Sequence, residues 1–138
     1  MPALDCTEVS LRFFGDDLTP KEISTLLGQQ PTQTETKGDV RVGKVSGQKW
    51  PAKSSGWRLK APTQSDGDLD AQIAALLGQL TSDLAVWRDL TTRYKADVFC
   101  GLFMQTAGDG LTMQPSTLQI LGDRGLRLEL CVYGPSDD

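Results

Sequence analysis

Three short segments alternate apolar and polar residues, and that alternation limits the chain to a sheet with one buried face. In EVSLRFFG, Val9, Leu11 and Phe13 fall on one side, and Glu8, Ser10, Arg12 and Phe14 on the other. In GWRLKAP, Trp57 and Leu59 share a face while Arg58 and Lys60 share the opposite one. In LRLELCVYG, Leu126, Leu128, Leu130 and Val132 face one way, and Arg127, Glu129, Cys131 and Tyr133 the other. A fourth segment, DVFCGLFMQ, is apolar on both sides, with Val98, Cys100, Leu102 and Met104 set against Phe99 and Phe103. A strand buried on both faces has that composition, so this one belongs in the middle of the sheet. DVRVGKV adds a short strand with Val40 and Val42 on one side.

Helical patterns separate these strands. LTPKEISTLLG carries Thr19 as a cap, Pro20 in the first turn, Glu22 to complete a capping box, and Gly28 as terminator. In DLDAQIAALLGQLTSDLAVWRDLTTRY one stripe runs through Leu69, Ile73, Leu76, Leu77 and Leu80, and a second through Leu84, Trp87, Leu90 and Tyr94. The TSD at 81–83 predicts a break with a new N-cap, hence two helices or one kinked helix. QPSTLQILG is a further short helix, begun by Pro115 and ended by Gly122. The predicted order is β-α-β-β-α-(α)-β-α-β, an α+β, ferredoxin-like sandwich. It has a mostly antiparallel sheet, helices packed on one face, and an extra αβ unit.

A length of 138 residues fits one domain, and 38% apolar with 23% charged residues is the balance of a soluble globular chain. No apolar run approaches a membrane span, and MPALDCTEVS lacks the basic and apolar regions of a secretory signal. Cys6, Cys100 and Cys131 are an odd number at wide spacing, which predicts buried free thiols in a reducing cytoplasm. The expectation is therefore a cytoplasmic protein with no membrane association. Histidine is absent, which excludes Ser-His and Cys-His catalysis and histidine metal ligation. No cofactor or metal motif is present, Asp16-Asp17 and Asp109 read as turn residues, and the reading leans away from an enzyme. The net charge of −4 hides an asymmetry: residues 37–60 hold seven cations against Asp39 alone, on an otherwise acidic body. The lysine-rich stretch at about 43–55 is expected to be a mobile hairpin loop, and residues 135–138 a frayed acidic tail.

SLRFFGDDLTPKEISTLLGQQPT resembles the opening of a bacterial family of short uncharacterised domains, the domain of unknown function 4279 family. The resemblance rests on Gly15, Asp16, Leu27, Gly28 and Pro31, then on Trp57, the DLDAQIAALLGQL helix and the closing LQILGDRGLRLELCVY. It spans about residues 7–134. The family's last strand often carries an acidic residue just before its final tyrosine. Cys131-Val132 stands there in this chain, so no acidic site role transfers. The resemblance implies a fold and a bacterial cytoplasmic setting, no established activity, and an immunity protein as one candidate role.

If the apolar sets face the helices, the opposite face of the sheet holds Arg12, Phe14, Arg58, Lys60, Phe99, Phe103, Arg127, Glu129 and Tyr133. Exposed aromatics among charges are the composition of an interaction surface. Three uses stay open: a protein interface with a partner or a second copy, a small anionic ligand held by Arg12, Arg58 and Arg127, or single-stranded RNA. The acidic body argues against RNA. The plain alternative is a solvated face with charge pairs such as Arg127 with Glu8.

Overall fold

The computed structural model describes residues 6–43, 46–62 and 67–135. Along the chain the elements are β1 (Cys6–Gly15), α1 (Pro20–Leu27), β2 (Gln33–Glu35), β3 (Val40–Val42), β4 (Lys49–Pro51), β5 (Ser55–Lys60), α2 (Leu69–Gly78), α3 (Leu84–Arg93), β6 (Lys95–Phe103), α4 (Pro115–Asp123) and β7 (Arg127–Tyr133). Five strands form one sheet in the order β2-β5-β1-β6-β7. β1 runs antiparallel to both β5 and β6, β2 is antiparallel to β5, and β7 is parallel to β6. Without β7 this is the split βαβ arrangement of a ferredoxin-like fold: β5 separates β1 from β2, and β1 separates β5 from β6. Helix α4 and strand β7 are the extra αβ unit. The expected α+β architecture is the one observed.

The helices pack on one face, α1 against β5, α2 against β1, α3 against β6 and α4 against β7. Val9, Leu11 and Phe13 project into them with Trp57, Val98 and Cys100, all almost fully buried. Phe13 is the hub, its ring 5.9 Å from Trp57 edge-on and 6.3 Å from Trp87 in a stack. Both indoles are satisfied: Trp57 Nε1 donates to Ser24 Oγ at 3.0 Å, and Trp87 Nε1 to the Thr81 carbonyl at 2.8 Å. A buried indole N–H without a partner would cost about 1–3 kcal/mol, so these bonds fix where each ring can sit. Thr7, inward on β1, bonds Gln72 of α2 through both side chain and backbone.

The helix ends follow local chemistry. Gly28 takes φ 80° and closes α1, its N–H donating to the Ser24 carbonyl. Asp83 caps α3 by accepting from Ala85 N, so TSD is the predicted break. Thr19 makes no side-chain cap bond, and Glu22 is drawn instead to Arg93 at 2.5 Å. Helix α4 runs to Asp123, one residue past its expected end at Gly122. Its N-terminus is capped from outside: Asp70 of α2 accepts from Gln114 N and Thr117 Oγ1. Gly15 is required by packing, because a Cβ there would lie 2.8 Å from the Tyr94 ring.

Three expectations need correction. The segment around Val40 and Val42 does not join the main sheet. It pairs with Lys49–Pro51 as a separate two-stranded ribbon, and both valines are exposed. The second strand of the main sheet is Gln33–Glu35, which is polar and short and therefore gives no alternation signal. Within 43–55, β4 and the first residue of β5 are described, and Gly43 N donates to the Gln48 carbonyl at 2.8 Å; Lys44 and Val45 lie outside the described residues, as do 136–138 of the tail. Second, Leu130 and Val132 lie on the helix side of β7 yet are 52% and 57% exposed. Helix α4 covers only the start of that edge strand, over buried Leu126 and half-buried Leu128. Third, Cys100 is buried but Cys131 is only half-buried, and the side chain of Cys6 lies outside the described residues.

Burial pushes the Cys100 thiol up to about 12 from an ordinary 9.0. The native state keeps that proton where the unfolded chain releases it, so this group makes stability fall as pH rises above about 9. At pH 8 an alkylating reagent should modify Cys131 well before Cys100, as read by peptide mass mapping. Equal rates at the two positions would contradict the packing.

Candidate functional site

Alternation sends one half of the sheet's side chains away from the helices, and the strand register decides which of them meet. Across the middle of that face the register aligns Gln33, Arg58, Arg12, Asp97 and Arg127 in one row. The next row holds Lys60, Ser10, Phe99 and Glu129. Toward one end come Glu8, Gly101 and Cys131, then Phe103 and Tyr133. Toward the other come Glu35, Gly56, Phe14 and Lys95. Every residue expected on the outward face is there.

Arg12 is the centre of the arrangement. Its Nε and Nη2 each donate to an Asp97 carboxylate oxygen at 2.8 Å, a bidentate pair. Its Cζ also lies 4.5 Å from the Phe99 ring centre and 5.2 Å from that of Phe14. The hydrogen bonds to Asp97 hold the guanidinium above its ordinary pKa, burial opposes this, and the nearby Glu129 charge reinforces it. An arginine so engaged orders the face and has little capacity left to hold a separate anion.

The other members differ in engagement. Lys60 Nζ lies 3.9 Å from Glu8 Oε1, a loose surface pair, so Glu8 is the neighbour of Lys60 and not of Arg127. Phe103 and Tyr133 stack at 4.7 Å with their planes 14° apart. Arg58 is half-buried, Arg127 and Glu129 are exposed, and neither arginine has an ion-pair partner among the described residues. Phe14, Phe99 and Phe103 are half-buried and Tyr133 is 43% exposed, so the aromatic edges are reachable. Two shallow hollows of about 240 and 340 Å³ border the central row and meet along Lys95, Ala96 and Arg127.

The basic segment 37–60 is divided by the fold. Among the described residues, Arg58 and Lys60 are the ones that reach the sheet face. Lys37 pairs with Asp16 at 3.1 Å, and Lys49 sits on the β3–β4 ribbon. The face itself interleaves Arg12, Arg58, Lys60, Lys95 and Arg127 with Glu8, Glu35, Asp97 and Glu129. It is a near-neutral mosaic and not a basic platform. Asp97 and Lys95 on β6, and Gln33 and Glu35 on β2, are members missed in the sequence; the β2 pair gives no alternation signal, but the β6 pair does. Counting back in twos from Phe99 along KADVFCGLF places Asp97 and Lys95 on the outward side, so the signal was present once the strand is begun at Lys95.

Among the described residues no helix is long and apolar enough to cross a membrane. A family model described as a domain of unknown function (DUF4279) matches residues 5–135, and the chain belongs to that family. No curated protein and no solved structure matches it.

A double-mutant cycle on Arg12 and Asp97 (each to Ala, and both) should give a coupling energy on the order of 1–2 kcal/mol in denaturant unfolding. Additive losses would mean that the pair does not organise the face.

Proposed function

We propose that this protein acts by binding another protein through the outward face of its sheet, without catalysing a reaction. The observation that carries the reading is the mosaic itself: partly exposed Phe14, Phe99, Phe103 and Tyr133 set among alternating cations and carboxylates. Aromatic edges supply buried contact area, and alternating charges select a partner with the complementary pattern. A polyanion asks for something different, a surface of one sign, and the four carboxylates on this face oppose it. A small anionic ligand is the second reading, favoured by Arg127, which has no ion-pair partner among the described residues and lines both hollows, and weakened by the commitment of Arg12 to Asp97. Neutralising a toxin would be one form of the first reading. A cytoplasmic setting goes with it.

Exchanging Arg58 and Lys60 for glutamate should abolish capture of the protein partner from cells that express this chain. The thermal midpoint should stay within a few degrees, since both side chains reach solvent. Undiminished capture would remove the face from consideration. Stabilisation by phosphate- or carboxylate-bearing metabolites, lost in Arg127→Ala, would replace the protein reading with the anion reading.

A further inference from the structure

The two edges of the sheet are unlike. β2 is three residues long, and a short edge resists pairing with other chains. β7 is seven residues long, has no proline, and has β6 as its single neighbour among the described residues. Met104 N donates to the Tyr133 carbonyl at 2.9 Å, so Tyr133 turns its backbone groups toward β6. By alternation the groups turned outward belong to Leu128, Leu130 and Val132. Those residues also carry apolar side chains on the helix side, where Leu130 and Val132 are more than half exposed. Leu118 on α4, the helix packed on β7, is 50% exposed as well. An edge with free backbone groups and uncovered apolar side chains is a template on which another strand can pair.

We propose that a second copy of this chain supplies it, with β7 pairing antiparallel to β7 about a two-fold axis through Leu130. The strand is self-complementary in that register. Leu130 meets its own copy and Leu128 meets Val132, which makes a continuous apolar row on the helix side. On the other side Arg127 meets Tyr133 and Glu129 meets Cys131. A two-fold at residue 129 would set Glu129 directly against its copy, which like charges disfavour. A two-fold at residue 131 would leave Leu128 facing Gly134 and shorten the seam. The axis at Leu130 engages all seven residues and joins two five-stranded sheets into one of ten. The seam is independent of Arg58 and Lys60, which lie on β5 at the far side of β1.

Sedimentation equilibrium of the intact chain should give twice the 15.0 kDa chain mass, falling by half on dilution. Leu130→Lys should give the single-chain mass at all concentrations, with an unchanged circular dichroism spectrum. Two-fold pairing brings the Leu130 Cα atoms to about 5.5 Å, within disulfide range. Leu130→Cys in a Cys131→Ser background should therefore form a disulfide-linked dimer under mild oxidation, a readout that does not depend on the lysine variant folding. A single-chain mass for the unaltered protein at millimolar concentration would overturn the proposal. So would a dimer that survives Leu130→Lys, or a Leu130→Cys, Cys131→Ser variant that stays uncross-linked while the unaltered protein cross-links through Cys131.

Discussion

The pleat of β1 is the constraint on which the rest of the molecule depends. It is the one strand with long antiparallel partners on both sides, so its register with β5 and β6 sets every row of the sheet. Two neighbouring residues show the consequence. Phe13 turns toward the helices and holds Trp57 and Trp87 around one ring. Arg12 turns the other way and binds Asp97 between two further phenylalanines. A slip of one residue would exchange the two, placing a guanidinium in the apolar core and a phenyl ring in solvent. Burying that charge unpaired would cost several kcal/mol, which is why the register is unambiguous.

That division also separates the roles of the tryptophan strand. Trp57 and Arg58 are adjacent in sequence and sit on opposite sides of the sheet, one at the core and one on the outward face. The core side is closed by short polar links: Ser24 to Trp57, Thr7 to Gln72, and Asp70 to the start of α4. These tie α1 and α2 to strands and α4 to α2 through groups that burial would otherwise penalise. The outward side has no comparable cover among the described residues. What organises it is Arg12, whose pairing removes one charge of each sign and holds Phe14 and Phe99 in place.

Much of this was legible in the chain because alternation is a local signal. Val9, Leu11 and Phe13 declared β1, and the turn chemistry around Asp83 and Gly28 declared helix ends. Membership of the outward face followed from parity alone, down to Glu129 and Tyr133. The parts that were not legible are those decided by partners distant in sequence. Gln33–Glu35 is a strand only because β5 offers it an edge. Asp97 becomes the partner of Arg12 only through the β1–β6 register. Leu130 and Val132 have the pattern of core residues and remain exposed because α4 stops short of them, a matter of helix placement that no periodicity encodes. The basic run 37–60 read as one feature, whereas in the fold Arg58 and Lys60 lie on the sheet face, Lys37 pairs with Asp16 and Lys49 lies on the β3–β4 ribbon.

The central claim is that the outward face is uncovered in the isolated chain and available to a partner. Hydroxyl-radical footprinting of the dilute protein reads it directly, since oxidation of an aromatic side chain follows its contact with solvent. Tyr133, Phe103, Phe99 and Phe14 should be modified rapidly, while Phe13, Trp57 and Trp87 stay protected until the protein unfolds. Protection of Phe99 and Phe103 to the level of Trp57 would mean that the face is closed, and would contradict the account.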